Sequence, residues 1–138
     1  MSLEVHLVTP EREVWSGPAR MLVARGVEGE VGILAGHAPL LVRLAIGPLR
    51  ILTDDEGERV AVVDGGFLHV TSEAGATRAD VLASQAELLE EIDVELARAR
   101  AAELEQQIQN HDTHLAEAEL ARVRAELRKA QVRIGLAG

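Results

Sequence analysis

The sequence predicts an α+β protein: an N-terminal antiparallel β-sandwich or flattened barrel, followed by a C-terminal antiparallel two-helix hairpin. Three observations carry that prediction. Ten of the twelve glycines lie between Gly17 and Gly75, and Pro10, Pro18, Pro39 and Pro48 all precede residue 50. From Ala76 to Ile134 there is neither Gly nor Pro, and Ala, Leu, Glu, Arg and Gln dominate. Those residues lose little rotamer freedom in a helix, whereas Gly and Pro cost about 1 and 3 kcal/mol there. The apolar period also changes, from two in the first half to the four-three spacing of a helix stripe in the second. The expected division is a sandwich over 1–85 and a helical arm over 86–138.

In the first part, Leu3, Val5 and Leu7 alternate with Glu4 and His6, as in a half-buried strand. Thr9-Pro10-Glu11 breaks the pattern and Glu13-Val14-Trp15 resumes it. Ser16-Gly17-Pro18 is a turn signal, followed by the apolar run Met21 to Ala24. Gly26 to Gly29 turns again before Val31, Ile33 and Leu34. Leu49 to Leu52 and Val60 to Val63 flank Asp54-Asp55-Glu56-Gly57, a hairpin signature. Gly65-Gly66 leads into Phe67 to Val70, and a last strand is expected over Thr77 to Leu82.

The arm divides at Asn110 to Thr113. A first helix is expected from Leu82 or Glu87 to Gln109, and a second from Thr113 to Ile134, with Asp112 and Thr113 as candidate N-caps. Ala116, Leu120, Val123, Leu127, Ala130 and Ile134 form a heptad stripe on the second helix. On the first, Leu89, Ile92, Leu96 and Ala99 start one stripe, while Ala97, Ala101, Leu104 and Ile108 continue it from a shifted position. Residues 87–108 hold seven acids and two arginines; residues 113–134 hold three acids and five bases. Opposite net charge favours antiparallel pairing. A seam rich in Ala contributes far less than the roughly 1.5–3 kcal/mol of each buried Leu or Ile, so the hairpin is expected to be weakly held and movable.

Composition excludes several functions. There is no Cys, hence no disulfide, thiolate zinc site or cysteine nucleophile. A net charge of −9 speaks against nucleic acid as a partner. No stretch approaches the roughly 20 apolar residues of a spanning helix, so no direct membrane insertion is expected. One Trp, one Phe and no Tyr make the core aliphatic and leave no aromatic platform for carbohydrate. Those two aromatics also argue against an enzymatic sandwich; a free-standing adaptor binding through the hairpin alone remains open.

The run Gly29-Glu30-Val31-Gly32-Ile33-Leu34-Ala35-Gly36-His37-Ala38-Pro39-Leu40-Leu41 lacks the GK[ST] ending of a phosphate cradle. Its glycines are expected to serve turns, and His37 to satisfy nearby backbone groups. His111 and His114 flank Asp112, but one loop supplies too few ligands for a metal, and solvated histidines are expected. The run resembles the hallmark of the epsilon subunit of F-type ATP synthases, with Ala35 where that family usually has proline. Thr9-Pro10-Glu11 to Trp15-Ser16-Gly17 and Val63-Asp64-Gly65-Gly66-Phe67 resemble two further segments of the family. The layout of sandwich then Ala-rich hairpin matches too, so the resemblance covers essentially the whole chain.

The resemblance implies a non-catalytic rotor subunit at the foot of the central stalk, whose sandwich binds the gamma subunit and the c-ring. It implies coupling of proton flow to ATP synthesis, and a peripheral place on the cytoplasmic side of the cell membrane within the complex. The hairpin is then a brake, inhibiting ATP hydrolysis when extended toward the catalytic alpha/beta head. No cofactor is required, but some members hold a regulatory ATP in the folded hairpin. On that resemblance the candidate nucleotide residues are Glu87, Ile92, Asp93, Arg124 and Arg128, with no catalytic or metal residues. Leu96 departs from the motif's arginine, and Arg98 is the nearest one.

Overall fold

The computed structural model describes residues 1–110 and 116–138. Two compact units result, Met1–Leu89 and Glu90–Gly138. His111, Asp112, Thr113 and His114, and with them the expected caps and histidine pair, lie outside the described residues.

The first unit holds eight strands: β1 (Ser2–Val8), β2 (Glu13–Ala19), β3 (Met21–Gly26), β4 (Gly29–Leu34), β5 (Leu40–Leu52), β6 (Glu58–Glu73), β7 (Ala76–Ala83) and β8 (Ala86–Leu88). Their order is β2-β1-β7-β6-β5-β3-β4, with β8 paired to β6. Every pair is antiparallel except β1 with β7, which is parallel. Alternation in β1 and β7 is as the sequence pattern demands: Leu3, Val5 and Leu7, and Thr77, Ala79 and Val81, are buried.

The long strands β5 and β6 make this sheet a sandwich. On β6 the core-facing residues are Ala61 and Val63 before Gly65-Gly66 but Leu68 and Val70 after them. Inward positions thus change from odd to even, so the strand turns its other face to the core without leaving the ladder. β5 does the same between Leu44 and Leu49. Gly65 and Gly66 have φ of 83° and 128°, values that only glycine adopts readily. They therefore bend one strand, where the sequence suggested a boundary between two.

Two other signals are also absorbed into strands. Ser16-Gly17-Pro18 lies inside β2, not in a turn. β2 is a sheet edge, where the missing N–H of Pro18 costs no ladder bond. Pro48 lies where the β3–β5 register shifts, opposite the irregularity between Ala24 and Gly26. The hairpin over 54–57 forms as expected, closed by Thr53, whose N–H and hydroxyl both donate to the Gly57 carbonyl at 2.9 and 2.7 Å. The core is aliphatic apart from Trp15.

The second unit contains α1 (Val94–Gln109) and α2 (Glu117–Ala137). α1 starts later than the sequence suggested. Ala86-Glu87-Leu88 pairs with Val63, Val62 and Ala61 as strand β8, and Leu89–Glu91 forms a 3-10 turn. Pairing with β6 outweighs the helix preference of these three good helix formers, which is worth only tenths of a kcal/mol per residue. The division therefore falls after Leu89 rather than after residue 85. α1 spans 16 residues and α2 21, about 24 and 31 Å, so the first is shorter than the expected span from Leu82 or Glu87 to Gln109. Gln106 to Asn110 lie beside Glu119 to Val123, and Arg98 lies beside Gly138, so the helices run antiparallel. Their seam is small-residue packing: Ala97, Ala101 and Leu104 on α1 and Ala130 on α2 are buried. The other α1 stripe faces away, and Leu96 is 67% exposed. With α1 starting at Val94, its members Leu89 and Ile92 are not on the helix at all.

Candidate functional site

The motif between Gly29 and Leu41 is built as strand, loop and strand. The edge of the loop is pinned at two points. The Gly36 N–H donates to the buried Thr77 hydroxyl at 2.7 Å, and the Ser72 hydroxyl donates to the His37 carbonyl at 2.8 Å. His37 Nδ1 lies 2.7 Å from the Ala38 carbonyl, a bond it makes as donor, so the side chain meets backbone as expected. The loop of the glycine-rich run is thus a fixed connection on the sandwich, with the Gly36 and His37 N–H groups both bonded to protein.

One outward face of the sandwich carries exposed apolar side chains beside charged and polar ones, Leu41 sharing its row with His69, Asp80 and His6. Strand register places Val8, Leu82, Phe67 and Arg43 in a row across β1, β7, β6 and β5. Their neighbours Leu7, Val81 and Leu68 point into the core, so this row points outward. Leu82 is 51% and Phe67 49% exposed, and the next row carries Leu41 at 67%. The only Phe of the chain lies on its surface. Bulky side chains clustered at neighbouring register positions mark an interaction surface, since single exposed apolar residues are ordinary but contiguous ones are not. Sequence reading took Phe67 as part of a strand; the face it presents depends on the bend at Gly65-Gly66.

The nucleotide candidates are placed as follows. Glu87 is the middle residue of β8, opposite Val62, in the first unit. Ile92, Asp93, Arg124 and Arg128 belong to the second unit. Asp93 is the N-cap of α1, and its carboxylate accepts the Leu96 N–H at 3.1 Å. Arg124 and Arg128, one turn apart, are both exposed on α2. Since Leu120 and Val123 lie beside Gln106 to Ile108, Arg124 stands near the end of α1 and Asp93 at its start, about 15 Å or more along the helix. Ile92 and Asp93 are therefore adjacent, the two arginines are adjacent, and the hairpin does not bring the pairs together.

Among the described residues no group of three His, Asp or Glu side chains could hold a metal ion. No helix among them is long and apolar enough to cross a membrane.

Comparison with known proteins agrees with this architecture. The family profile of the ATP synthase delta/epsilon chain, beta-sandwich domain, matches residues 2–89. The ATP synthase epsilon chain of Thermobifida fusca is 47% identical over 131 residues, covering 94% of this chain and 92% of the relative. That of Streptomyces coelicolor is 42% identical over 127 residues, covering 91% and 97%. Among solved structures, a chain of the Euglena gracilis mitochondrial ATP synthase, in its OSCP/F1/c-ring assembly, superposes with a TM-score of 0.77 at 27% identity. The overlap covers 95% of this chain and 78% of that one. A chain from the central stalk and c-ring of the Tetrahymena thermophila enzyme shares the fold, with a TM-score of 0.59 at 17% identity, over 100% of this chain and 98% of that one. The chain therefore belongs to the ATP synthase delta/epsilon family, as a non-catalytic subunit of the epsilon type.

Proposed function

We propose that the sandwich docks on the gamma subunit and c-ring at the foot of the central stalk, through the outward row Val8–Leu82–Phe67 and Leu41. In that place the subunit couples proton flow to ATP synthesis, held at the cytoplasmic side of the cell membrane by the complex. The exposed row carries the reading, because the sandwich core is closed and the row has no structural role of its own. The Euglena chain it resembles comes from an assembly containing F1 and the c-ring. Replacing both Phe67 and Leu82 by Asp is expected to weaken binding to purified gamma at least about 30-fold, since central apolar anchors contribute about 2 kcal/mol or more. Both side chains are about half exposed, so thermal unfolding should barely move. Unchanged gamma affinity in a folded double variant would remove this surface from the interface.

The hairpin is the inhibitory element in the same proposal. Extended toward the alpha/beta head, it blocks ATP hydrolysis; folded, it permits it. Its support is energetic, because among the described residues the seam buries Ala97, Ala101 and Ala130 with one Leu, and such a seam is weak enough to part. A regulatory ATP is proposed to act through Arg124 and Arg128, whose guanidiniums could grip a phosphate chain. Among the described residues neither has an ion-pair partner, whereas Lys129 is paired to Glu126 at 2.9 Å. Calorimetric titration of the full chain is expected to show saturable ATP binding that Arg124→Ala with Arg128→Ala abolishes. No saturable binding by the unaltered chain into the millimolar range removes the ATP proposal and leaves the docking proposal untouched.

A further inference from the structure

The last turn of α2 contains no basic residue. Yet its carbonyls after Ile134 lack intrahelical donors, and the negative end of the helix dipole favours a cation there. A cation of the other helix stands close to that end. Arg98 on α1 has its Nη2 3.1 Å from the position that a Cβ on Gly138 would occupy. Gly138 is the C-cap of α2, with its N–H donated to the Ile134 carbonyl at 2.7 Å. The guanidinium is held in that place from its own helix: Nη1 donates to Glu95 Oε1 at 2.6 Å. Glu95 and Arg98 are three residues apart and so share a face of α1.

We propose that Arg98, aimed by Glu95, is a latch between the two helices, which closes the end of the hairpin where α1 begins and α2 ends. The latch needs no ligand. It supplements a seam in which, among the described residues, only Leu104 is a large buried side chain. Because the guanidinium is half exposed, its attraction to the α2 terminus is screened by salt. The hairpin is thus tighter at low ionic strength. This concerns closure of the hairpin alone, and stands apart from what hairpin movement does to hydrolysis.

Amide hydrogen exchange on the full chain tests it, read at the last turn of α2. Arg98→Ala is expected to speed exchange there about two- to fivefold at low salt, the size of a helix-terminus charge interaction. Arg98→Lys should keep most of the protection, because the charge is retained. Glu95→Gln should give a smaller increase than Arg98→Ala, by freeing the guanidinium to wander. At about 1 M salt the unaltered chain should approach the Arg98→Ala rate. Amides of Leu68 and Val70 in the sandwich should be unmoved throughout. Unchanged exchange in Arg98→Ala overturns the latch. So does an effect equally large at high salt, which would mean packing by the arginine stem.

Discussion

Gly66→Val is expected to leave no folded sandwich at room temperature, and Gly66→Ala to lose about 3 kcal/mol or more. Two separate penalties meet at this position. Its φ of 128° lies in a region essentially reserved for glycine, where another residue stores about 1–3 kcal/mol of strain. A Cβ would also stand 2.8 Å from the Ala83 Cα. That neighbour is backbone on β7, and it cannot swing aside as a flexible side chain can. Moving it means breaking the pairing of Gly66 with Ala83 at the point where β6 turns its other face to the core. Domains of this size hold only about 5–15 kcal/mol in total, and each kcal/mol is worth about 4–8 °C of melting temperature. Gly66→Ala should therefore melt about 12 °C or more lower. Trp15, the single tryptophan, lies in the sandwich core and reports its unfolding by fluorescence without interference from the hairpin. Gly75→Ala is the control. Its φ is 82°, but nothing lies within 4 Å of the added Cβ, so only the strain of about 1 kcal/mol should appear. Equal melting of the two variants would mean that backbone conformation, and not the close approach of β7, sets the demand for glycine.

That position also shows where sequence reading stops. Alternation identified the inward residues of β1, because a strand with one wet face must alternate whatever its neighbours are. The hairpin over 54–57 was legible for a similar reason: Thr53 and Gly57 close it locally. Gly65-Gly66 read as a boundary because local chemistry cannot distinguish a turn from a bend in a continuous ladder. Only the partner strands β5 and β7 decide that. Ser16-Gly17-Pro18 was misread similarly, since a proline is compatible with a strand only if that strand is an edge. The parallel partnership of β1 and β7 left no local mark at all.

The arm was legible in kind and partly in register. Absence of Gly and Pro marked the helices, but not the switch from β8 to α1. Ala86-Glu87-Leu88 can be helix or strand, and three ladder positions on β6 choose strand. Asp93 then becomes an N-cap, a use of the same carboxylate that the nucleotide reading also claims. Of the two apolar stripes on α1, the seam took Ala97, Ala101 and Leu104 and left Leu96 outside. The exposed row around Phe67 was not legible, since its outward direction follows from the change of inward face at Gly65-Gly66.

A chain ending at Leu89 is expected to fold, to retain gamma binding, and to raise ATP hydrolysis by the assembled complex. All residues of the hydrophobic core cluster precede Leu89, and Ala86 and Leu88 pack against it. The cut therefore removes the hairpin and no residue of that core cluster. The place of the cut matters. Ending the chain at Gln85 instead would strip β8 from β6 and remove the packing of Leu88 against the core, at a cost of about 1–3 kcal/mol. A rise in hydrolysis after the shorter cut would then be confused with loss of fold. Melting followed at Trp15 separates the two, with the 1–89 chain close to the full chain and the 1–85 chain lower. Once folding and gamma binding are shown intact, hydrolysis reads the hairpin alone. A 1–89 complex that hydrolyses ATP no faster than the full one would leave the hairpin without an inhibitory role. The docking surface would stand regardless, because it is carried by strands that the cut does not touch.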